Sequence, residues 1–380
     1  MVSHPERQTP RLSPVAKILV SIGTRPEAVK LAPLIHELAR RSGTEVRVLA
    51  TAQHRALLDQ ALEFFSIQAD IDLDLMRENQ PLADLTARMI SAVDATLADE
   101  QPDFVFAQGD TTTVMVTSLC CHYRKIPFGH VEAGLRTGQK FLPFPEEMNR
   151  SMVGQLADLH FAPTTRSRDN LLAEGIDADS IHVTGNTVID ALQWSVERTD
   201  PSGFAASKGR RLILVTAHRR EHFGEPFEQI CAGLRQLADR TDVELLYPVH
   251  PNPNVLSVVQ RVLSNHPRIR LVDPLDYPRF VAAMRAAHLI LTDSGGVQEE
   301  APTLGKPILV LRDETERPEG IDAGSALLVG PHADRILAGA NRLLDDQNAY
   351  DAMAKVRNPY GDGTACARIA DALESWLQCK

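Results

Sequence analysis

The chain has 380 residues, of which 43% are hydrophobic and 24% are charged, and its formal net charge is −10 at pH 7. Single hydrophobic cores stop growing near about 250 to 300 residues, so this length predicts two domains. The acidic balance argues against a nucleic-acid or anionic-membrane surface, although it leaves room for a local basic pocket that takes a small anion.

The N-terminal residues 1–15 are rich in Pro, Ser and Arg and have no apolar core of a signal peptide, so we predict a disordered tail. No run in the sequence approaches the roughly 20 apolar residues of a membrane span. The five cysteines form no CxxC pair, which indicates neither a zinc site nor a disulfide framework. Together these features predict a protein of the reducing cytoplasm.

From Lys17 onward, short β-rich runs alternate with amphipathic segments of helical period. The strand candidates of the first half are KILVSIG, EVRVLAT, DFVFAQG, PFGHVEA, LHFAPTT and IHVTGN. Repeated alternation of strand and helix predicts a parallel sheet with helices on both faces. We therefore assign a first Rossmann-like domain to residues 16–196.

A second domain follows a polar connection. The segment Arg198–Arg211 carries Pro and Gly, and alternation then restarts with LILVTAH, VELLYPVH, IRLVDPL, LILTDS, PILVLRD and ALLVG. This pattern predicts a second Rossmann-like domain over 197–358, and a C-terminal helix over 364–380 that crosses back to the first. The expected fold class is α/β, with two doubly wound domains and a ligand cleft between them.

Three acidic residues of the first domain lie in polar segments that follow apolar or Pro-marked stretches. Asp110 lies in QGDTTT, Glu132 in HVEAGLRTG and Glu146 in PFPEEMNR. Because the carboxyl ends of parallel strands meet at one edge of a sheet, we expect these residues on neighbouring loops. Three converging carboxylates without a metal-ligand pattern suggest proton transfer, whereas Asp110 and Glu146 could instead stabilise helix starts.

Two helix starts are candidate anion sites. In GTRPE after the first strand, Arg25 and Lys30 are available to an anion, or Arg25 is simply solvated at a helix start. In TDSGGVQEE, the residues Ser294, Gly295 and Gly296 open a helix, where backbone N–H groups can approach a phosphate. The sequence has no GxGxxG fingerprint and no Walker A loop, so NAD binding and P-loop chemistry lose support.

Further polar candidates surround the second anion site. Glu299 and Glu300 could reach ribose hydroxyls or could merely complement a helix dipole. Arg317, on the next loop, offers a bidentate cation. His218 stands at a strand end beside two arginines, where it could bind phosphate, act as an acid or be an ordinary surface histidine. His250 is similarly placed, and its spacing alone favours no role.

Long segments in chain order carry a resemblance to a known family. They are GTRPEAVK, TAQHR, QGDTTT, HVEAGLRTG, PFPEEMNR, GNTVIDAL, TAHRRE, TDSGGVQEEAPTLGKP, RDETERPE and NPYGDG. From about Lys17 to near Ala370, the chain resembles the non-hydrolysing UDP-N-acetylglucosamine 2-epimerases of bacteria. The resemblance implies a glycosyltransferase-B-like architecture, a homodimer, and interconversion of UDP-N-acetylglucosamine and UDP-N-acetylmannosamine with no redox cofactor and no required metal.

The resemblance also implies roles for individual residues. The catalytic carboxylates would be Asp110, Glu132 and Glu146, and His218 joins this catalytic set while also contacting the UDP. The other substrate-binding positions, with Phe280 beside the uracil, would be Arg25, Lys30, Phe280, Ser294, Gly295, Gly296, Glu300 and Arg317.

Bacterial members of this family also bind a second substrate molecule as an allosteric activator. The matching positions are Gln53, His54, Gln80 and His250. The sequence departs from the pattern where Asn79 replaces an Arg of some members and where Pro251 replaces a common Leu. The alternative is that these side chains only brace the cleft.

The expected chemistry is elimination followed by re-addition. The C2 hydrogen of the sugar has no adjacent carbonyl and is a very weak acid, so its removal requires that the bond from C1 to UDP breaks as well. Departure of UDP leaves positive charge at C1, and loss of the C2 proton to a carboxylate then yields a bound glucal. Re-addition with protonation from the opposite face inverts C2.

Four other functions remain compatible with the sequence. A 2-epimerase of a UDP-uronic or diacetamido sugar is the nearest, followed by a glycosyltransferase of the same fold, which would need an acceptor groove. A hydrolysing epimerase would release UDP. A nucleotide-sugar sensor without turnover is disfavoured, because three carboxylates would repel an anionic ligand. The product is expected to serve synthesis of cell-surface polysaccharide precursors.

Overall fold

The structure, a computed structural model, describes residues 15–51, 55–77 and 80–379. Within these residues the chain divides into two compact units. The first unit comprises residues 15–161, 170–182 and 369–379, and the second comprises residues 162–169 and 183–368.

The first sheet has seven strands in the order β3-β2-β1-β4-β5-β6-β7, and its pairs from β3 to β6 are parallel. Helices connect successive strands. The elements are β1 Ala16–Ile22, α1 Arg25–Ala39, β2 Thr44–Ala50, α2 Arg55–Phe64, β3 Ile71–Asp72, α3 Leu82–Glu100, β4 Phe104–Gln108, α4 Thr112–Arg124, β5 Phe128–Val131, α5 Glu146–Leu156, β6 Leu159–Ala162, α6 Thr165–Ala173 and β7 Ile181–Val183.

The second sheet has six strands, all paired in parallel, in the order β10-β9-β8-β11-β12-β13. Its elements are α7 Thr187–Val196, β8 Arg211–Thr216, α8 Glu225–Leu237, β9 Val243–Pro248, α9 Pro253–Leu263, β10 Ile269–Val272, α10 Tyr277–Ala286, β11 Leu289–Thr292, α11 Gly295–Glu300, β12 Ile308–Val310, α12 Pro318–Ala323, β13 Ala326–Leu328, α13 Ala333–Asp345, α14 Gln347–Ala354 and α15 Ala365–Gln378.

The prediction of two Rossmann-like α/β domains is confirmed. Both sheets are parallel, and the central strands β4 and β11 are buried along their whole length, as helices on both faces require. Each sheet reverses its strand order once, between β1 and β4 in the first and between β8 and β11 in the second. Ligands of such sheets bind at the carboxyl ends of the strands beside this reversal.

The long segment of the second unit begins at residue 183, whereas the sequence analysis placed the start of the second domain at residue 197. Residues 183–196 belong to the second unit, because Leu192 of α7 packs in its core and Val196 packs against that core. Residues 369–379 of α15 belong to the first unit, where the ring of Trp376 meets Phe104 edge to face at 5.2 Å between centroids. Of the predicted N-terminal tail, residues 1–14 lie outside the described residues.

No helix in the described part of the chain is long and apolar enough to cross a membrane. Four cysteines, Cys120, Cys121, Cys231 and Cys366, are buried free thiols, and Cys379 is an exposed one.

Candidate active site

In the first unit, the loops after β1 and β4 are held together by a buried carboxylate. Glu27, on the first turn of α1, accepts hydrogen bonds from Gly23 N and Thr24 N at 2.6 Å each, and from Thr111 Oγ1 at 2.5 Å. Its burial raises its pKa to about 7, although these three donors favour the charged form. Glu27 was not among the sequence candidates, and it fixes the Arg25 loop against the Asp110 loop.

Glu132 directly follows β5 and lies in the left-handed backbone region, with φ 64°. A residue other than glycine pays roughly 1 to 2 kcal/mol for this conformation. The turn directs its carboxylate to two partners, because Oε2 accepts hydrogen bonds from Lys30 Nζ and Gln108 Nε2, both at 2.5 Å. The structure thus brings together a residue of α1, the last residue of β4 and the residue that follows β5.

Asp110 lies in the turn between β4 and α4. The residue that caps α4 is Thr111, whose hydroxyl accepts from Val114 N, so Asp110 is not the helix cap that its position also allowed. Its carboxylate pairs with the guanidinium of Arg150 at 2.8 Å and keeps 28% of its side-chain surface exposed. Asp110 is therefore accessible to a ligand while a buried cation orients it.

The adjacent acids of α5 have different environments. Glu147 is buried and accepts from Thr137 N at 3.1 Å and Gly138 N at 2.9 Å, so it anchors the loop that follows β5. Glu146 begins α5, is half-buried, and has no hydrogen-bonded partner for its carboxylate within the described residues. Sequence analysis identified Glu146, and it missed the anchoring role of Glu147.

Two further residues complete the first unit's edge. Arg25 opens α1 and is half-buried. His130 is fully buried at the end of β5, where its Nε2 lies 2.7 Å from Gly109 O. Burial lowers the pKa of His130 to about 3, so the ring is neutral near pH 7 and supports the loop that carries Asp110.

In the second unit, buried Asp293 organises the loop after β8. Its Oδ2 accepts from His218 N at 2.7 Å and from Arg219 N at 2.8 Å. Burial by itself raises the pKa of Asp293, but a hydrogen bond from His222, the charge of His218 and the two backbone donors bring it below its usual value. The carboxylate thereby fixes the position of His218 at the strand end.

His218 is 42% exposed and stacks on His250, with ring centroids 5.3 Å apart and ring planes 4° from parallel. Burial lowers the pKa of His218, and nearby Asp293 opposes that effect. The structure thus joins two histidines that the sequence analysis considered separately, from the loops after β8 and β9.

The Ser294–Gly296 turn and Arg317 lie side by side. Ser294 precedes α11, and a Cβ atom added at Gly295 would come within 3.8 Å of Arg317 Cζ. The guanidinium is therefore next to the first residue of the helix, where backbone N–H groups also favour an anion. Arg317 in turn forms a buried ion pair with Glu299.

Glu299 and Glu300 close α11 and are not first-turn acids, so the dipole interpretation of these residues is wrong. Glu300 is 5% exposed and accepts from the hydroxyl of Tyr277 at 2.8 Å. Phe280, on α10, is partly buried and packs against the core of the second unit.

The expected activator residues are only partly described. Gln53 and His54 lie outside the described residues. Gln80 hydrogen-bonds to Arg88 and contacts Met76 Sδ at 2.9 Å, and both partners are in the first unit. His250 stacks on His218 in the second unit.

Each unit therefore carries a distinct chemical set. The first has Glu132 paired with Lys30 and Asp110 paired with Arg150, and the half-buried Glu146 belongs to the same unit, which suits proton transfer beside an anion. The second has a glycine turn, Arg317 and His218, which suits an oxyanion such as a diphosphate.

Comparison with known proteins gives one consistent family. The sequence profile of the family described as UDP-N-acetylglucosamine 2-epimerase matches residues 36–374. A UDP-N-acetylglucosamine 2-epimerase of Yersinia pestis is 51% identical over 370 residues, with 94% of this chain and 98% of the relative covered. The enzyme of that name from Escherichia coli K12 is 50% identical over 370 residues, with the same coverage.

Solved structures agree with the sequence comparison. The UDP-GlcNAc 2-epimerase of Neisseria meningitidis bound to UDP-GlcNAc superposes with a TM-score of 0.88 and 44% identity, covering 95% of this chain and all of the other. The Staphylococcus aureus MnaA–UDP co-structure has a TM-score of 0.86 and 44% identity, covering 96% of this chain and 97% of the other.

Proposed function

This chain belongs to the UDP-N-acetylglucosamine 2-epimerase family, and we propose that it reversibly converts UDP-N-acetylglucosamine to UDP-N-acetylmannosamine without net hydrolysis. The observation that carries the proposal is that Asp110 and Glu132 follow the neighbouring strands β4 and β5 of one sheet, where Glu132 pairs with the Lys30 ammonium of α1. Related structures solved with UDP-GlcNAc or UDP supply the substrate class.

In this proposal the second unit holds the UDP moiety. Arg317 and the backbone N–H groups of Gly295 and Gly296 bind the diphosphate, since a cation and a helix start both stabilise negative charge. Glu300 accepts from the ribose hydroxyls, and Phe280 lies beside the uracil. His218, which Asp293 holds at the end of β8, contacts the diphosphate and belongs to the proposed catalytic set because negative charge develops on the departing UDP.

The carboxylates of the first unit carry out the proton transfers. The C1–O bond breaks with its electron pair going to the UDP oxygen, and a carboxylate takes the C2 proton, so that a C1=C2 double bond forms in 2-acetamidoglucal. A second acid then protonates C2 from the opposite face as the UDP oxygen re-forms the bond to C1. Asp110, Glu132 and Glu146 supply the groups, and the anions also stabilise positive charge at C1.

Deuterium incorporation tests this function. Incubation with UDP-N-acetylglucosamine in D2O should give UDP-N-acetylmannosamine with deuterium at C2 and little free UDP, measured by NMR and mass spectrometry. Unlabelled sugar would exclude proton exchange at C2. Stoichiometric UDP release would favour a hydrolysing epimerase, and turnover only with UDP-uronic or diacetamido sugars would change the substrate.

The remaining expectations belong to the same proposal. The enzyme works as a homodimer in the cytoplasm, takes no cofactor, and supplies precursors of cell-surface polysaccharides. A second UDP-N-acetylglucosamine activates it through Gln53, His54, Gln80 and His250. Initial rates measured from the UDP-N-acetylmannosamine direction test activation, because an activated enzyme shows a lag or no turnover until traces of UDP-N-acetylglucosamine are added.

A further inference from the structure

Glu299 is a fully buried carboxylate to which the proposed function gives no role. Its side chain is 1% exposed, and it accepts hydrogen bonds from Arg317 Nε and from Asn186 Nδ2, the latter at 3.1 Å. A buried carboxylate is tolerated only when charge and hydrogen-bond donors compensate its lost hydration. The ion pair with Arg317 supplies this compensating charge, and Glu299 in turn holds the Arg317 guanidinium in place.

The engagement of Nε sets the plane of the guanidinium. Arg317 Nη1 also donates to Glu316 O at 3.2 Å, so hydrogen bonds within the protein hold both Nε and Nη1 of the guanidinium. The guanidinium is rigid and planar, and fixing two of its nitrogens fixes the direction of the others. This orientation places Arg317 Cζ beside the Gly295 turn.

Two short segments, GN at 185–186 and NPYGDG at 358–363, contact this ion pair. Tyr360 is buried, and its hydroxyl accepts from Gly320 N and donates to Arg317 O, each at 2.9 Å. Asn358 Nδ2 donates to Glu299 O at 2.8 Å. One motif therefore fixes the backbone of both members of the ion pair.

The two motifs are also joined to each other. Asn186 N donates to Tyr360 O at 2.7 Å, and Gly185 adopts φ 88°. A Cβ atom at Gly185 would come within 3.2 Å of Gly361 Cα, so only glycine permits this approach of the two backbones. The result is a continuous set of contacts from both motifs to Glu299 and Arg317, all inside the second unit.

We propose that Glu299 is a positioning residue for Arg317, and that the 185–186 and 358–363 motifs hold the pair so that the guanidinium meets the diphosphate of the substrate. This inference rests on the UDP-binding role proposed for Arg317. Its consequence is that Glu299 acts on UDP affinity only through Arg317.

The inference is tested with a double-mutant cycle of Arg317 and Glu299. The affinity of the wild type and of each variant for UDP is measured by calorimetric titration. Arg317→Ala should weaken UDP binding by about 10- to 100-fold, the range expected for a lost charged hydrogen bond. Glu299→Gln should weaken it by about tenfold, with kcat at saturating substrate changed by less than about threefold. In the Arg317→Ala background, Glu299→Gln should cause no further loss, because the group it orients is gone.

Matched variants separate positioning from simple structural support. Glu314→Gln changes an exposed acid two residues before Glu316 and should bind UDP as the wild type does. Tyr360→Phe removes the hydroxyl that donates to Arg317 O, and it should also weaken UDP binding while keeping the fold. If Glu299→Gln does not fold, the UDP affinity of Tyr360→Phe tests the positioning of Arg317 in its place. A purely structural role would lower thermal stability and leave the affinity of the folded protein unchanged.

The possible failures are distinguishable. If Arg317→Ala binds UDP normally, the proposed role of Arg317 and the inference both fail. If Arg317→Ala loses affinity while Glu299→Gln and Tyr360→Phe keep it, only the inference fails. Independent, additive losses in the double mutant would likewise overturn it.

Discussion

At the scale of single residues, the adjacent acids Glu146 and Glu147 of α5 have different environments. Glu147 is buried under two backbone N–H donors and beside Arg150, at 3.4 Å from its guanidinium. Glu146 is half-buried and has no such ties within the part of the chain that the structure describes. A group that must exchange protons with a substrate cannot be fully engaged by backbone donors, so the environment of Glu146 suits the proposed catalytic role better than that of Glu147 does.

We therefore expect opposite effects from two neighbouring substitutions. Glu146→Gln should lower kcat by about a hundredfold or more with unfolding free energy unchanged to within about 0.5 kcal/mol. Glu147→Gln should cost about 1 to 3 kcal/mol of stability, because it weakens buried hydrogen bonds. Product chromatography and urea denaturation measure the two quantities, and a stability loss confined to Glu146→Gln would reverse the assignment. Asp110→Asn and Glu132→Gln should lower kcat in the same way while leaving UDP binding largely intact.

Glu27 makes stability depend on pH. Its native pKa of about 7 lies above the ordinary value of 4.5, so between these values the native state binds more protons than the unfolded state. The free energy of unfolding should therefore fall as pH rises through this window, with a slope of up to about 1.4 kcal/mol per pH unit from this group.

Glu27→Gln should remove that component of the pH dependence. Urea unfolding at pH 5 and pH 7.5 measures it, with Glu45→Gln, at an exposed position of β2, as the control. The difference in stability between wild type and Glu27→Gln should grow at low pH in favour of the wild type. Parallel pH profiles for all three proteins would contradict the pKa assignment.

At the scale of elements, the β1–α1 turn depends on close approach. A Cβ atom at Gly23 would meet Thr113 Oγ1 at 2.1 Å and Thr51 Oγ1 at 3.0 Å. These hydroxyls belong to the segments after β4 and β2 and hydrogen-bond to each other at 2.9 Å. The turn that presents Arg25 is thus packed directly on its neighbours in the sheet.

Gly23→Ala should displace this turn. We expect a loss of about 1 to 3 kcal/mol in unfolding free energy, as overpacking of buried sites produces, together with a reduced kcat/KM. Gly203→Ala is the matched control, because nothing lies within 4 Å of the Cβ it would add. Denaturation gives the unfolding free energy of both variants, and initial rates give their kcat/KM. Equal values for the two variants would show that the segments around Gly23 accommodate the added methyl group, which would contradict the prediction.

At the scale of the whole molecule, the first unit exposes several large apolar side chains near α5. Phe141, Phe144 and Met152 are 67%, 64% and 42% exposed. The rings of Phe141 and Phe144 lie 6.4 Å apart. Exposed apolar surface of this kind favours association, which agrees with the homodimer in the proposed function.

Sedimentation equilibrium should therefore give a species of twice the 41.8 kDa chain mass at micromolar concentration. Because apolar contacts are not screened by ions, the dimer should persist at about 1 M salt, where the Debye length is only about 3 Å. A monomer at all concentrations would contradict the dimer, and a dimer that dissociates with salt would indicate charged contacts instead.

The sequence by itself determined the fold class, the loops that carry polar residues and the family, because strand–helix alternation and long motifs are local patterns along the chain. Only the tertiary structure decided that Thr111 rather than Asp110 caps α4, and that Glu27, Glu147 and Glu299 are anchors. The partners of Glu27 and Glu299 include residues 84 and 113 positions away. Sequence spacing does not encode such pairings, whereas packing of parallel strands brings their loops to one edge, where burial and hydrogen bonding assign each carboxylate its role.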